Sequence, residues 1–129
     1  TIETLMEKFG LDEGSATLTG SLGANMGMNG CAGIYPALAV VTIANMTGMQ
    51  MDISFYVMLL IVIAISSLGI AGIPGTATIA LALTLSGMGM GEYFPLLGGI
   101  IAIDPILDMG RTMLNVNGTI TTAITVSKR

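Results

Sequence analysis

The stretch ISFYVMLLIVIAISSLGIAGIPGTATIALALTLSGMGM, residues 53–90, decides the fold of this chain. Its first apolar run, Ile53 to Ile65, holds 13 residues, and a second short run covers 78–90. A helix needs about 20 apolar residues to cross a bilayer, so neither run is long enough by itself. The Gly- and Pro-containing segment between them, 66–77, interrupts helices. The pattern therefore predicts two half-length helices that form a re-entrant hairpin with its tip at 66–77.

An interrupted hairpin of this kind also predicts a function. Irregular backbone at membrane depth is tolerated only where it is buried in protein or lines a cavity. Short, interrupted apolar segments indicate the binding site of a secondary transporter, because half-helix N-termini attract carboxylates and unwound carbonyls bind cations. The alternative is a soluble protein with Gly-rich hairpins.

The composition indicates a membrane protein rather than a soluble one. Hydrophobic residues make up 53% of the chain and charged residues 9%, with a mean hydropathy of +0.86, whereas soluble domains are roughly 25% charged. The net charge of −4 argues against nucleic-acid binding. With no His and one Cys, the chain has no zinc constellation, no intramolecular disulfide and no base for nucleophilic catalysis. The sequence predicts neither an enzyme nor a cofactor.

The chain divides into four segments by composition. Residues 1–13 are charged and amphipathic, 14–50 are small and Gly/Met-rich with a predicted helix break at 23–30, 51–90 hold the hairpin, and 91–129 hold the last apolar stretch. The chain begins with Thr1 and has no signal-peptide pattern, so we interpret it as a piece of something longer. Lys128 and Arg129 favour a cytoplasmic C-terminus.

The last segment carries a polar stripe. Asp104, Asp108, Arg111 and Asn115 recur at helical spacing, so they share one helix face, with Thr112, Thr119 and Thr122 on or beside it. A charged side chain at membrane depth costs roughly 3 kcal/mol and is by default a hypothesis of a transport pathway or binding site. The alternative is a buried ion pair that only fixes packing. Cys31, in an apolar pattern, is on composition a small packing residue.

Three motifs carry a family resemblance. DPILDMGRTMLNVNGTITTA at 104–123, GIAGIPGTA at 69–77 and LGANMGMNGCAG at 22–33 resemble, in order and spacing, the dicarboxylate/amino acid:cation symporter family, the sodium:dicarboxylate symporters with the glutamate-transporter fold. NMGMNGCAGIYPA at 25–37, with TIETL at 1–5, resembles its bacterial branch for L-cystine uptake.

The resemblance covers nearly the whole chain and implies the C-terminal third of an all-α membrane transporter. It assigns 1–13 to the end of the first re-entrant hairpin and 14–50 to the broken seventh transmembrane helix. It assigns 51–90 to the second re-entrant hairpin and 91–129 to the eighth helix.

The resemblance also implies substrate contacts. Arg111 would pair with a side-chain carboxylate of the substrate through a bidentate fork, and Asp108 would take the substrate's α-ammonium. The hairpin tip would close as a gate, with backbone amides toward the substrate's α-carboxylate. Cys31 stands where acidic-amino-acid carriers of the family have Thr. The remaining implied substrate-binding residues are Thr112, Asn115, Met28, Ile73, Pro74, Gly75 and Ala77.

The cation sites depart from the family pattern. Sodium-driven members have carboxylates at the positions of Asn29 and Thr119, so two fixed charges are missing. Sodium prefers oxygen ligands and neutral ones can suffice, which leaves coupling to Na+ open beside coupling to H+ through Asp104 or Asp108. The implied cation-binding set is Gly23, Asn25, Gly27, Asn29, Ser67, Leu68, Ile70, Asp104, Asn115 and Thr119.

These observations predict secondary active uptake of an amino acid, L-cystine, by alternating access in a multi-pass protein of the cell membrane. The expected partners are the lipid bilayer, the amino-acid substrate, the rest of the transporter chain and two further copies in a homotrimer formed through an absent scaffold. The alternatives are a C4-dicarboxylate or acidic-amino-acid symporter, an uncoupled channel-like pore segment, and an inactive fragment.

Overall fold

A computed structural model describes residues 1–73 and 75–127, and every regular element in these ranges is helical. The predictions that fall on Pro74, Lys128 and Arg129 lie outside the described residues. The helices are α1 (Ile2–Phe9), α2 (Glu13–Met26), α3 (Tyr35–Met46), α4 (Ile53–Leu68), α5 (Thr76–Gly87) and α6 (Gly98–Ser127), with a π turn at Asn29–Ile34 and a 3-10 turn at Gly91–Leu97.

Two helical stretches are long and apolar enough to cross a bilayer. They are Glu13–Met46, with 34 residues, and Gly91–Ser127, with 37 residues. Helices α4 and α5 are apolar but shorter. The architecture therefore agrees with the predicted all-α membrane protein.

The first two helices meet at a sharp turn. α1 ends at Gly10, whose left-handed backbone (φ 69°) lets its N–H donate to Met6 and the Leu11 N–H donate to Leu5, a Gly-dependent C-terminal motif. Asp12 then caps α2, since its carboxylate accepts from the Ser15 N–H at 2.8 Å. That hydrogen bond lowers the pKa of the Asp12 carboxyl. α2 begins at Glu13, one residue before the predicted segment boundary.

The interruption after α2 is narrower than predicted. The helix continues through Gly23 and Asn25 to Met26, so the non-helical residues are Gly27 and Met28 rather than the whole of 23–30. Gly23 suits a helix here because it lies against the Thr119 side chain of α6, where a Cβ would clash. Small residues allow such close helix approach.

The core forms where α3 and α5 pack together. Their apolar residues join Leu59 of α4 and Leu97 of the 3-10 turn in one cluster, and the π turn adds Cys31 to it. α6 lies across α2 and the π turn. This arrangement brings the polar stripe of α6 against the interrupted part of the chain. The buried side chains that α3 and α5 supply are Tyr35, Ala39, Val40, Ile43, Ala44, Ala77, Leu81 and Leu85.

Candidate functional site

The charges of α6 form one cluster on one side of the helix. Nη2 of Arg111 lies 2.6 Å from Oδ1 of Asp104 and 3.3 Å from Oδ1 of Asp108. Asp104 is buried, and only 13% of the Arg111 side chain is exposed. The predicted common face is therefore confirmed for these three residues, and Arg111 is engaged by two acids of its own helix.

Arg111 also contacts α3. Its guanidinium carbon lies 4.4 Å from the ring centroid of Tyr35, within the range of a cation–π contact. The ring covers one face of the guanidinium. Two donors in this contact, Nε of Arg111 and the hydroxyl of Tyr35, are buried without a hydrogen-bond partner.

Asn115 connects α6 to the π turn. Its Oδ1 accepts from the Gly30 N–H at 2.8 Å, and its Nδ2 lies 3.2 Å from Sγ of Cys31 and 3.4 Å from Sδ of Met28. Cys31 donates in turn to Oδ1 of Asp108 at 3.3 Å. A buried amide needs such partners, because leaving it unpaired costs about 1–3 kcal/mol. Cys31 therefore takes part in hydrogen bonding with Asn115 and Asp108 in addition to its predicted packing role.

A cavity of about 290 Å³ opens beside this network. Asp108 presents its carboxylate there, with 39% of its side chain exposed against 13% for Arg111. Arg111 and Cys31 are not on the wall; each reaches the cavity only through a hydrogen bond to Asp108. The lining therefore contains an acid, hydroxyl groups and an amide, but no basic side chain. Its lining is Met28, Gly72, Ile73, Thr76, Asp108, Thr112, Asn115 and Val116.

The segment between α4 and α5 closes one side of this cavity. The Gly72 N–H donates to the Ala24 carbonyl at 2.9 Å, which fastens the segment to α2. Ile73 lines the cavity and its N–H donates to Oγ1 of Thr76 at 3.1 Å. Gly75 has a left-handed backbone (φ 84°), which favours Gly. Ala77 differs from the exposed Ile73 and Gly75, because it is buried in the α3–α5 core.

The predicted cation residues separate into groups. Gly23, Asn115 and Thr119 line a cavity of about 140 Å³. A groove of about 370 Å³ between α2 and α6 is lined in part by Gly23, Gly27, Asn29 and Thr119. Neither wall contains a carboxylate.

The other predicted cation residues line none of these three cavities. Asn25 is exposed, Ser67 donates to the Ala64 carbonyl, and Ile70 is buried against Ala32 and Ala80. Leu68 is exposed at the end of α4, and Asp104 pairs with Arg111.

Two residues that contact Arg111 were absent from the sequence prediction, and so were three residues of the cavity lining, Gly72, Thr76 and Val116. Gly30 approaches α6 so closely that a Cβ would lie 3.1 Å from Arg111 atoms, and Tyr35 stacks on the Arg111 guanidinium. The sequence signal for both is their position in the NMGMNGCAGIYPA motif at 25–37. Both residues face Arg111 because of the π turn. The periodicity of apolar residues in the sequence does not reveal a π turn.

The family model described as the sodium:dicarboxylate symporter family matches residues 1–129. The L-cystine uptake protein TcyP of Shouchella clausii (strain KSM-K16) is 47% identical over 125 residues, 95% of this chain and 26% of that protein.

Two further relatives carry the same name. The L-cystine uptake protein TcyP of Bacillus licheniformis is 46% identical over 120 residues, 92% of this chain and 26% of the relative. That of Bacillus anthracis is 41% identical over 128 residues, 98% of this chain and 27% of the relative. The chain thus spans about a quarter of the length of these relatives. No solved structure matches the chain.

Proposed function

We propose, since this chain belongs to the sodium:dicarboxylate symporter family, that it is the substrate-binding part of a transporter that takes up L-cystine by secondary active transport. Three relatives at 41–47% identity are named as L-cystine uptake proteins. In this role the chain binds and moves a solute and catalyses no reaction.

One observation carries the choice of substrate. The cavity presents the Asp108 carboxylate, while the Arg111 guanidinium is withdrawn and shared between two acids. Two carboxylates and one guanidinium give the cluster a formal charge of −1. A negative cluster favours a ligand with ammonium groups, because opposite charges attract most strongly where water is scarce. L-cystine carries two ammonium groups, whereas a C4-dicarboxylate carries none.

The binding steps follow from this charge arrangement. The substrate's ammonium would bind Asp108, and Thr112 and Asn115 would add hydrogen bonds from the same wall. One substrate carboxylate would draw Arg111 from its acidic partners. The segment 69–75, fastened at Gly72, would cover the substrate as a gate.

The same proposal specifies the membrane architecture. α4, α5 and the segment between them would form the second re-entrant hairpin, and α2, the π turn and α3 would form the broken seventh transmembrane helix. The short length of α4 and α5 and the interruption at Gly27 and Met28 support this arrangement. The whole protein would be multi-pass in the cell membrane. It would assemble as a homotrimer through a scaffold domain outside this chain.

Transport would be driven by a cation gradient and proceed by alternating access. Sodium would bind neutral oxygens around Gly23, Asn115 and Thr119, where the small cavity has no carboxylate. A proton would instead bind Asp108, the more exposed acid of the cluster. Uptake under separately imposed sodium and proton gradients identifies the coupling ion.

Uptake of radiolabelled L-cystine into proteoliposomes of the full-length transporter tests the proposal. Sodium and proton gradients are imposed separately, with unlabelled aspartate and unlabelled L-cystine as competitors. We expect accumulation against the L-cystine gradient under one ion gradient, inhibition by L-cystine and little inhibition by aspartate. Accumulation of aspartate without L-cystine, or equilibration that no ion gradient can drive uphill, would contradict the proposal.

The variant Arg111→Ala tests the assignment of Arg111 to substrate binding in the same uptake assay. Loss of the guanidinium leaves Asp104 buried without its partner, and breaking a buried pair costs about 3–5 kcal/mol. We expect L-cystine uptake to fall to background while membrane insertion persists. Lys8→Ala removes the same charge from exposed α1 and serves as the matched control. Undiminished uptake by Arg111→Ala would refute the assignment of Arg111.

A further inference from the structure

The Thr76 hydroxyl bonds outside its own helix. Thr42 and Thr84 are ordinary helical threonines, since each hydroxyl donates to the carbonyl four residues earlier in the same helix. Thr76 is the first residue of α5, and its Oγ1 lies 2.5 Å from the carbonyl oxygens of both Ala71 and Ile73, which precede the helix. The side chain therefore ties the segment between α4 and α5 to the start of α5.

This hydroxyl engages both backbone groups of Ile73. The Ile73 N–H donates to Oγ1 of Thr76 at 3.1 Å, and the Ile73 carbonyl accepts from the hydroxyl. Because a hydroxyl has one proton, the carbonyls of Ala71 and Ile73 share it. One side chain thus holds three backbone groups of the segment.

The residues that Thr76 holds lie at the surface. Ala71, Gly72 and Ile73 are exposed, Ile73 by 57%, whereas Thr76 is 6% exposed. A further hydrogen bond, from the Gly72 N–H to the Ala24 carbonyl, attaches them to α2. A surface segment that is held by hydrogen bonds rather than by buried side chains opens at a low cost in free energy. Each of these bonds therefore affects how often 71–73 opens.

Both attachments lie at the wall of the cavity of about 290 Å³. Thr76, Gly72 and Ile73 line it together with Asp108 of α6. Release of 71–73 would open that side of the cavity. The Asp108 carboxylate would keep its place, since it accepts from Cys31 and Arg111. The position of Thr76 thus allows it to control access to the cavity through the segment alone.

We propose that Thr76 is the latch of the gate. While its hydroxyl is bonded, 71–73 covers the cavity, and when these bonds break the segment lifts and a substrate can enter or leave. Thr76 is a positioning residue, because it acts on the substrate through the segment. This inference rests on the proposed function and assigns the rate of substrate exchange to one side chain.

Variants of Thr76 in the full-length transporter test the latch. Thr76→Val removes the hydroxyl and keeps the shape, and Thr76→Ser keeps the hydroxyl. The valine variant should fold, because the Ile73 N–H still donates to the Ala71 carbonyl at 2.8 Å and the N–H of residue 76 to the Ile73 carbonyl at 3.2 Å. Thr78→Val makes the same change at a half-buried position of α5 and is the matched control.

Two measurements on purified protein in detergent report the state of the latch. Amide hydrogen exchange, measured by mass spectrometry without L-cystine, reports the opening of 71–73, with α3 as the internal reference. The release of bound radiolabelled L-cystine into excess unlabelled L-cystine gives the dissociation rate, and equilibrium binding gives Kd.

We expect Thr76→Val to speed exchange of the 71–73 amides and dissociation of L-cystine by about fivefold each, the effect of one lost hydrogen bond. Kd should stay within about twofold of the wild type, because the latch closes the gate with and without substrate, so its loss speeds entry and exit alike. Exchange in α3 should not change. Thr76→Ser and Thr78→Val should stay within about twofold of the wild type in every value.

The outcomes separate the two claims. Wild-type protein that neither binds nor accumulates L-cystine would overturn the proposed function, and with it the latch. Normal wild-type binding with unchanged exchange and dissociation in Thr76→Val would overturn the latch alone. A rise in Kd to match the faster dissociation would show that the hydroxyl binds the substrate directly, and faster exchange in α3 would show a packing role; either result would also overturn the latch.

Discussion

Helices α4 and α5 are neighbours with opposite environments. α4 contains the run FYVMLLIVIAI, yet Leu59 is its only buried residue, and Leu60 and Ile65 are 69% and 68% exposed. α5 is built from Thr, Ala and Leu and is less apolar. Six of its residues are buried, which are Thr76, Ala77, Ala80, Leu81, Thr84 and Leu85. The more hydrophobic helix is therefore the outer one.

The difference reflects how helices pack in a membrane. Apolar side chains gain nothing by leaving lipid, so burial inside the protein depends on close packing rather than on hydrophobicity. Ala77 and Ala80 let α5 approach α3 and the π turn. α4, with bulky side chains on all sides, is suited to an apolar surrounding. Hydropathy locates these helices, and residue size decides which one is internal.

Equivalent leucines on the two helices give the largest expected contrast. Leu81 is fully buried in the core, so Leu81→Ala should destabilise the transporter by about 2–5 kcal/mol through a cavity. Leu60→Ala, the same change on α4, should stay within about 0.5 kcal/mol. The midpoints of thermal unfolding of the full-length protein in detergent measure both. Equal destabilisation by the two variants would show that protein covers the outer face of α4.

Glycines in the connecting segment give the next contrast. A Cβ on Gly72 would lie 2.9 Å from the Ala24 carbonyl and 2.6 Å from Cε of Met28, so Gly72→Ala must displace the segment from α2. We expect a cost of about 1–3 kcal/mol and a several-fold loss of L-cystine uptake. Gly69→Ala meets only the Ser66 carbonyl at 3.7 Å and should keep wild-type uptake. Wild-type uptake by both variants would show that the fastening at Gly72 has no role in transport.

The smallest effect should come from a buried hydroxyl of α5. Thr84 is fully buried, but its hydroxyl donates to the Ala80 carbonyl of its own helix at 2.8 Å. Thr84→Val keeps the shape, and loss of one such bond in a membrane should cost about 0.6 kcal/mol. Thr42→Val removes a similar bond, to Leu38, at an exposed site of α3 and is the control. A loss above about 2 kcal/mol would mean that the Thr84 hydroxyl bonds outside its helix.

Much of the fold could be predicted because hydropathy and helix breakers are local signals. The short apolar runs around 66–77 correspond to α4 and α5, and the interruption of the Gly/Met-rich segment lies within the predicted 23–30. The prediction extended that interruption too far. Gly usually weakens a helix, but at Gly23 the close approach of Thr119 makes it the residue that fits. Tertiary contact reverses a local preference there.

The candidate site could be predicted in part for the same reason. Helical spacing brought Asp104, Asp108 and Arg111 to one face, and their ion pairs confirm it. The roles of these residues in binding stay predictions. Sequence spacing did not reveal which acid faces the cavity or that Arg111 is withdrawn, because both depend on what α3 and the π turn place opposite α6.

The sequence by itself determined that this is a membrane protein, which family it belongs to, where its helical segments lie and which face of α6 is polar. Each of these follows from composition, periodicity or a motif read along one chain. Only the tertiary structure decided that α5 is internal and α4 external, that Asn115 connects α6 to the π turn, and that Tyr35 stacks on Arg111. These features arise between segments up to 85 residues apart. The physical reason is that packing and hydrogen bonding depend on shape across an interface, which no single segment encodes.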